Sequence, residues 1–451
     1  MNGQKYEVKS EKLKSKKRRL IPLISLLALF SAQYAHAMEY SLVDLYRIAL
    51  DRSERIHVSR NDVQIAEREK DRARSAFVPA LSAFGSYTKY STDKNEGSGS
   101  TNVLIQPQNA ASWGAKLEQA LSMGGKEITA YKISNEDIER SNHDLNAVKE
   151  SNLSTVATSY YDLLRAKKTL EIARANAERL TKHRDAAAVR LKVGEVTKTD
   201  LLRAEAELSG AQSDLVRAVN FQKLAKAILA RYVGITSDFD VKGPEAQMET
   251  GSPTLEALKE TAFMERAELK SYSLQKKIAE DRIRLAKSAY WPTISVEGGY
   301  LGQEQNPSLP FAVNDSLWAG VALNIPIFEG GLRRAEVGQA EAKSRQSGFL
   351  YDDLRKAIAI EVEDSWLDHQ TQRGVLHSLR DQLKFAADNY YSVSKQYQFG
   401  LANSIDVIDA NTLLLNTERQ LTDAEFNYRL SLVRMQRSSG VLLKTIMGEI
   451  H

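Results

Sequence analysis

The sequence predicts a mainly α-helical chain that enters a membrane as β-strands, built as two copies of one helix–hairpin–helix unit. Three observations predict it. The stretch RSAFVPALSAFGSY, Arg74 to Tyr87, returns 213 residues later as KSAYWPTISVEGGY, Lys287 to Tyr300, with proline in the same place (Pro79, Pro292). Two runs of 68 residues without proline, Lys126 to Val193 and Leu332 to Phe399, read as very long helices. Between each proline and the following long run lie short segments in which apolar and polar residues alternate.

Residues 1–37 read as a secretory leader and are set aside. The cationic KLKSKKRRL precedes the apolar IPLISLLALF and then Ala35-His36-Ala37, a small-x-small cleavage pattern, so the mature chain is expected to begin at Met38. The apolar run is shorter than the roughly 20 residues a membrane helix needs. The leader holds 8 of the 62 Lys+Arg and 2 of the 58 Asp+Glu, which leaves 54 basic against 56 acidic residues in the remainder. The near-neutral balance gives no case for nucleic acid as a partner. The chain has no cysteine, which excludes disulfides, a thiolate site and lipidation of an N-terminal Cys. Its seven histidines are scattered, with no metal-ligand spacing, nucleophile motif or phosphate-binding glycine loop, so neither catalysis nor a cofactor is expected.

The repeat covers half-chains rather than a motif. At the offset of 213, Ser41-Leu42 aligns with Thr254-Leu255, Ala49 with Ala262, and Ile65-Ala66-Glu67 with Ile278-Ala279-Glu280. Further along the offset becomes 206 and pairs Gly124-Gly125 with Gly330-Gly331, Gly194 with Gly400, Asp200 with Asp406, and Gly234 with Gly440. The seven extra residues fall within STDKNEGSGSTNVLIQPQNAA, Ser91 to Ala111, which reads as a long exposed loop. The expected units are residues 38–235 with a hairpin at 79–123, a linker at 236–253, residues 254–440 with a hairpin at 292–329, and a tail at 441–451. The linker, joining the halves, is expected outside the tube at its waist, with no chemistry assigned.

In each unit a helix from about Ser41 to Val78, or its counterpart, ends at the proline, which removes a donor and restricts the residue before it. The strands follow. Ile294, Val296, Gly298 and Tyr300 alternate with Thr293, Ser295, Glu297 and Gly299; Leu317, Ala319, Val321, Leu323 and Ile325 alternate with Trp318, Gly320, Ala322 and Asn324; Trp113, Ala115 and Leu117 oppose Gly114, Lys116 and Glu118. Segments of about ten residues with one apolar and one polar face suit a transmembrane barrel. Four strands cannot close one, and lipid tolerates no open edge, so copies of the chain must pool their strands. The Gly-Gly pairs mark the return from strand to helix. The long helix then carries a narrow seam, Leu153, Val156, Tyr160 and Leu163, then Leu170, Ala173, Ala177 and Leu180, at coiled-coil spacing that suits packing around a hollow interior. It reverses at Gly194 or Gly400 and returns as a shorter helix, Glu195 to Val233 or Leu401 to Ser439.

The duplicated helix-Pro-hairpin-Gly-Gly-helix layout and the second turn, QYQFGLANSIDVIDANTLLL, Gln396 to Leu415, resemble the TolC family of outer-membrane channels over essentially the whole mature chain. The resemblance implies a homotrimer with a 12-stranded β-barrel in the outer membrane, continuous with an α-helical barrel across the periplasm. It implies a conduit for efflux or type I secretion, docked at its helix turns to a periplasmic adaptor (membrane fusion protein) and an inner-membrane pump of RND or ABC type. It also assigns residues. Asp406 and Asp409 match an acidic ring at the constriction; Tyr397 and Asp200 match a gate pair in which the tyrosine bonds the acid, and Thr199 another gate position. Val193, Gly194, Val196, Phe399, Gly400 and Leu401 match the adaptor-docking turns. Where the family's best-known member has arginine this chain has Ala402, which implies a less tightly latched tip.

Simpler readings stand beside these. Asp406 lies three after Asn403 and Asp200 three after Thr197, both helix-start arrangements; Asp409 is less easily explained this way. Gly194 and Gly400 would serve as helix terminators without any partner. A periplasmic coiled-coil scaffold or adaptor would share the seams and the leader but has no need of four strands with a lipid-compatible face.

Overall fold

The computed structural model describes residues 38–97, 103–243, 253–309 and 313–450; the expected leader lies outside the described residues. The first half runs β1 (Met38–Tyr40), α1 (Leu42–Arg52), α2 (Glu54–Ser75), β2 (Ala80–Lys89), β3 (Lys94–Glu96), β4 (Val103–Gln106), β5 (Asn109–Ser122), α3 (Lys126–Lys192) and α4 (Lys198–Val233). After β6 (Phe239–Val241) the second half repeats it with α5 (Leu255–Glu265), α6 (Ala267–Ser288), β7 (Thr293–Asn306), β8 (Asp315–Asn324), α7 (Leu332–Gln398) and α8 (Ser404–Ser438), followed by α9 (Leu442–Ile450). The two long helices, α3 and α7, have 67 residues each, a length of about 100 Å at 1.5 Å per residue.

The expected continuous helix from Ser41 to Val78 is two helices. Ser53 is extended (φ −67°, ψ 123°), and Arg266, its counterpart at the offset of 213, breaks the second half in the same way (φ −56°, ψ 117°). Neither break needs glycine or proline, because a partner from another helix holds it. The Asn152 amide on α3 donates to the Ser53 hydroxyl at 2.9 Å, and the buried Arg266 guanidinium donates to the Ser438 carbonyl at 3.0 Å. Gly440 lies so close behind Arg266 that a Cβ there would stand 2.8 Å from its backbone nitrogen.

Strands β2, β5, β7 and β8 form one antiparallel sheet in that order, so the two hairpins of one chain lie side by side. The register carries the predicted alternation across all four strands. Leu81, Leu117, Gly298 and Ala319 form one row, and Ala83, Ala115, Tyr300 and Leu317 another on the same face. The opposite face carries Ser82, Lys116, Gly299 and Trp318, with the Lys116 ammonium 3.0 Å from Glu118 and 3.1 Å from Glu297. The apolar face is bare: Leu317, Val321 and Leu81 are each at least 73% exposed. The expected long loop differs from expectation in part, since β3 and β4 pair within it as a small ribbon. Gly125, Gly330 and Gly331 take left-handed backbone at the strand-to-helix return, as expected; Gly124 is needed instead for close approach, a Cβ there falling 2.7 Å from the Ser288 carbonyl.

The predicted seam is buried except for the partly buried Ala177, and its first four residues join the largest core, at the waist of the helices. There Leu153, Tyr160 and Leu163 of α3 meet Leu45 and Tyr46 of α1 and Leu229 and Val233 of α4. Two segments expected as linker and tail enter this core. β6 pairs in parallel with β1 and buries Phe239, while α9 buries Leu442 and Ile446. Residues 244–252 of the linker lie outside the described residues.

Beside this core sits a charged cluster, largely buried except for the exposed Glu361. Arg437 of α8 donates to Glu268 at 2.6 Å, Arg266 donates to Glu268 at 3.1 Å and pairs with Glu361 at 3.0 Å, and Glu150 of α3 lies 3.9 Å from Arg437. Burial pushes the Glu150 carboxyl up to about 7 against the pull of Arg437. A carboxyl raised above its ordinary 4.5 binds a proton on folding, so its contribution is full below that value and is lost as pH rises through about 7. The loss amounts to roughly 3 kcal/mol at 1.36 kcal/mol per pKa unit. The expected outcome is that Glu150→Gln raises the Tm of the purified protein relative to wild type more at pH 8 than at pH 5; an equal change at both would contradict the assignment.

Candidate functional site

The far ends of the long helices form two similar turns. At the first, Gly194 is left-handed (φ 80°) and the Glu195 N–H closes back on the Arg190 carbonyl at 2.9 Å; at the second, Gly400 (φ 77°) and the Leu401 N–H closing on Gln396 at 2.8 Å repeat the arrangement. Each return helix then starts on a capping box. The Thr197 hydroxyl accepts from the Asp200 N–H while the Asp200 carboxylate accepts from the Thr197 N–H at 2.9 Å; Asn403 and Asp406 do the same, also at 2.9 Å on the carboxylate side. Asp200 is held below the ordinary carboxylate range by its bonds to Thr197.

The turns thus present apolar side chains on a rigid backbone. Val193 is 67% exposed, Phe399 77% and Leu401 79%, while Val196 is half-buried. Asp406 and Asp409, three residues apart on α8, are both exposed on one face and line an open depression with Asn389, Val393, Gln396 and Leu401. Asp406 does double duty, since one of its oxygens also caps the helix.

The expected gate pair is not joined within the chain. The Asp200 carboxylate is taken up by Thr197, and the Tyr397 hydroxyl, on a side chain only 4% exposed, is buried with no hydrogen-bond partner among the described residues. Arg190 covers the Tyr397 ring instead, its guanidinium 4.7 Å from the ring centre, with the His183 ring, two turns earlier on the same face of α3, 5.1 Å away. His183 shares a hydrogen bond of 3.0 Å with the Ser404 hydroxyl, and burial holds its pKa below the ordinary 6.5, so the imidazole is neutral near pH 7. Thr199 is exposed in the first turn of α4, and Ala402 contributes no polar group.

Below the turns, polar residues that the seam pattern passed over join α3 to α8. Arg179 forks onto Glu418 at 2.9 and 3.2 Å and donates to the Asn411 side chain at 2.9 Å, and Asn411 donates to Asn176 at 2.8 Å, both asparagines being buried. Buried amides at a helical seam fix register at some cost in stability. The signal for them was present: Asn176 interrupts the apolar seam between Ala173 and Leu180.

Residues 45–235 and 258–441 match the profile of the outer membrane efflux protein family. Outer membrane protein TolC of Escherichia coli K12 is 22% identical over 449 residues, covering 94% of this chain and 87% of that protein; TolC of Vibrio cholerae is 25% identical over 320 residues, covering 68% and 71%. Among solved structures, the CmeC outer membrane channel of Campylobacter jejuni superposes with a TM-score of 0.79 at 17% identity, over 90% of this chain and 89% of that one.

Because Asp406 carries a capping bond and Asp409 does not, the two acids are separable by substitution. Asp406→Ala should cost the first turn of α8 about 1 kcal/mol and speed amide exchange there, while Asp409→Ala should leave that exchange unchanged; equal effects would mean the capping box is not formed. The family profile covers most of both halves, and the chain belongs to the outer membrane efflux protein family, the TolC family.

Proposed function

We propose that three copies of this chain form one conduit, with a 12-stranded barrel in the outer membrane and a helical tunnel whose turns meet a periplasmic adaptor and an inner-membrane pump. The chain itself is an outer-membrane channel component of the efflux and secretion type, extending into the periplasm, and its family is one of passive channels rather than enzymes. One observation carries the assembly: a four-stranded sheet with an exposed apolar face and, among the described residues, no strand on the outer edge of β2 or β8, set at one end of helices of about 100 Å. A soluble scaffold would pay for that face in water and gain nothing from it. No described helix is long and apolar enough to cross a membrane, so the sheet is the described element suited to lipid.

At the other end the exposed Val193, Phe399 and Leu401, on turns with left-handed Gly194 and Gly400 and with Val196 beside them, are the proposed docking surface for the adaptor. Asp406 and Asp409, gathered by threefold symmetry, would place six carboxylates around the axis and favour cations there. Tyr397, Asp200 and Thr199 form the proposed gate zone. With Ala402 adding no link and Asp200 committed to its cap, closure rests on packing around Tyr397 rather than on a Tyr397–Asp200 bond. The relatives' names give different cargoes, among them an alkaline protease secretion protein and a cation efflux system protein, which fits a conduit whose cargo is chosen by the pump it meets.

Two measurements test this reading. A photo-crosslinking probe at Leu401 should capture a periplasmic adaptor in cells; no capture during active export, with the probe incorporated and the channel assembled, would remove the turn as the docking surface. In planar bilayers, a trivalent cation on the periplasmic side should block the wild-type current, and Asp406→Asn with Asp409→Asn should weaken that block by at least about tenfold, a loss of 1.4 kcal/mol. Unchanged block would place the cation site elsewhere.

A further inference from the structure

We infer that Arg190 is the latch that holds the two turns of one chain together, a positioning residue for tip closure; the inference rests on the channel reading above. Arg190 stands in the last turn of α3, yet its guanidinium reaches across to the other half of the repeat. Its Nη1 donates to the Tyr397 carbonyl at 2.7 Å, and its Nε donates to Glu195 in its own turn at 2.9 Å. Its plane lies over the Tyr397 ring, and Nη2 comes within 3.4 Å of where a Cβ on Gly400 would stand. One side chain therefore touches both turns, and it is well shielded, with 19% of it exposed.

The Tyr397 carbonyl is the right acceptor for this. It belongs to the final turn of α7, where carbonyls lose their helical donors and the helix dipole presents negative charge. It already accepts from the Gly400 N–H at 3.0 Å, and Arg190 fills its remaining lone pair with a charged donor. The contact is also the outermost of a ladder of bonds from α3 to the α7–α8 pair, below which come His183 with Ser404, Arg179 with Asn411 and Glu418, and Arg165 with Asn427. A tip opened by moving α7–α8 against α3–α4 must break this rung first. The duplication gives the second half no equivalent, because position 396, the counterpart of 190, is glutamine. A lysine would keep the charge but could not bond on two edges and stack at once.

The chain has no cysteine, so spin labels can be placed at Val193→Cys and Leu401→Cys without background. Pulsed EPR on assemblies diluted with unlabelled chain should give one narrow distance distribution in the otherwise native protein. Arg190→Ala should broaden and lengthen it and raise single-channel conductance several-fold; Arg190→Lys should fall between. Glu195→Gln, which spares the carbonyl bond, should stay at the wild-type distance. An unchanged distribution in Arg190→Ala, or an equal broadening in Glu195→Gln, would overturn the inference. Absence of current through the wild-type protein would strike the channel reading alone, because the distance measurement needs no current.

Discussion

Backbone hydrogen bonding in lipid is the constraint on which the rest of this structure depends. A strand that meets hydrocarbon must pair every N–H and C=O, and the outer edges of β2 and β8 have no partner strand among the described residues of the single chain. The sheet also carries an apolar face that water penalises. Both deficits would end if the β8 edge of one copy met the β2 edge of the next, and in the proposed trimer four strands per chain would make twelve. Antiparallel pairing of β5 with β7 already shows the joint that such closure would repeat, one hairpin set beside another.

The form of the helices fits the proposed closure. Each half must return from the sheet to a tunnel wall, which places left-handed glycines at the junction and a seam of small and medium residues along α3. A narrow seam cannot stabilise so long a helix uniformly. Apolar packing concentrates at the waist, where β6 and α9 add Phe239, Leu442 and Ile446 to the core. Toward the turns buried polar groups take over, Asn176 with Asn411 and His183 with Ser404. Such contacts are geometrically specific and individually modest, as would suit the proposed gate zone.

Much of this was legible because glycine and proline mark it. The bounds of α3 and α7 follow from their flanking glycines, and the strand faces from strict alternation. The breaks at Ser53 and Arg266 were not legible, since their side chains are held by Asn152 and by the Ser438 carbonyl, partners 99 and 172 residues away. β6 and α9 were missed because three residues and nine residues give too short a pattern. At the turns, the spacing of Thr197 to Asp200 and Asn403 to Asp406 already signalled capping boxes, and that local bond is what occupies Asp200. Arg190 left no trace in the sequence because its acceptor is a backbone carbonyl, which every residue possesses.

In the proposed assembly the chain completes itself only with copies of itself, three to a barrel. Native mass spectrometry of the protein extracted from outer membranes tests it most directly. A single species with the mass of three chains that survives mild heating is expected; a stable monomer or dimer, with the sheet edges still protected from exchange, would rule the trimer out.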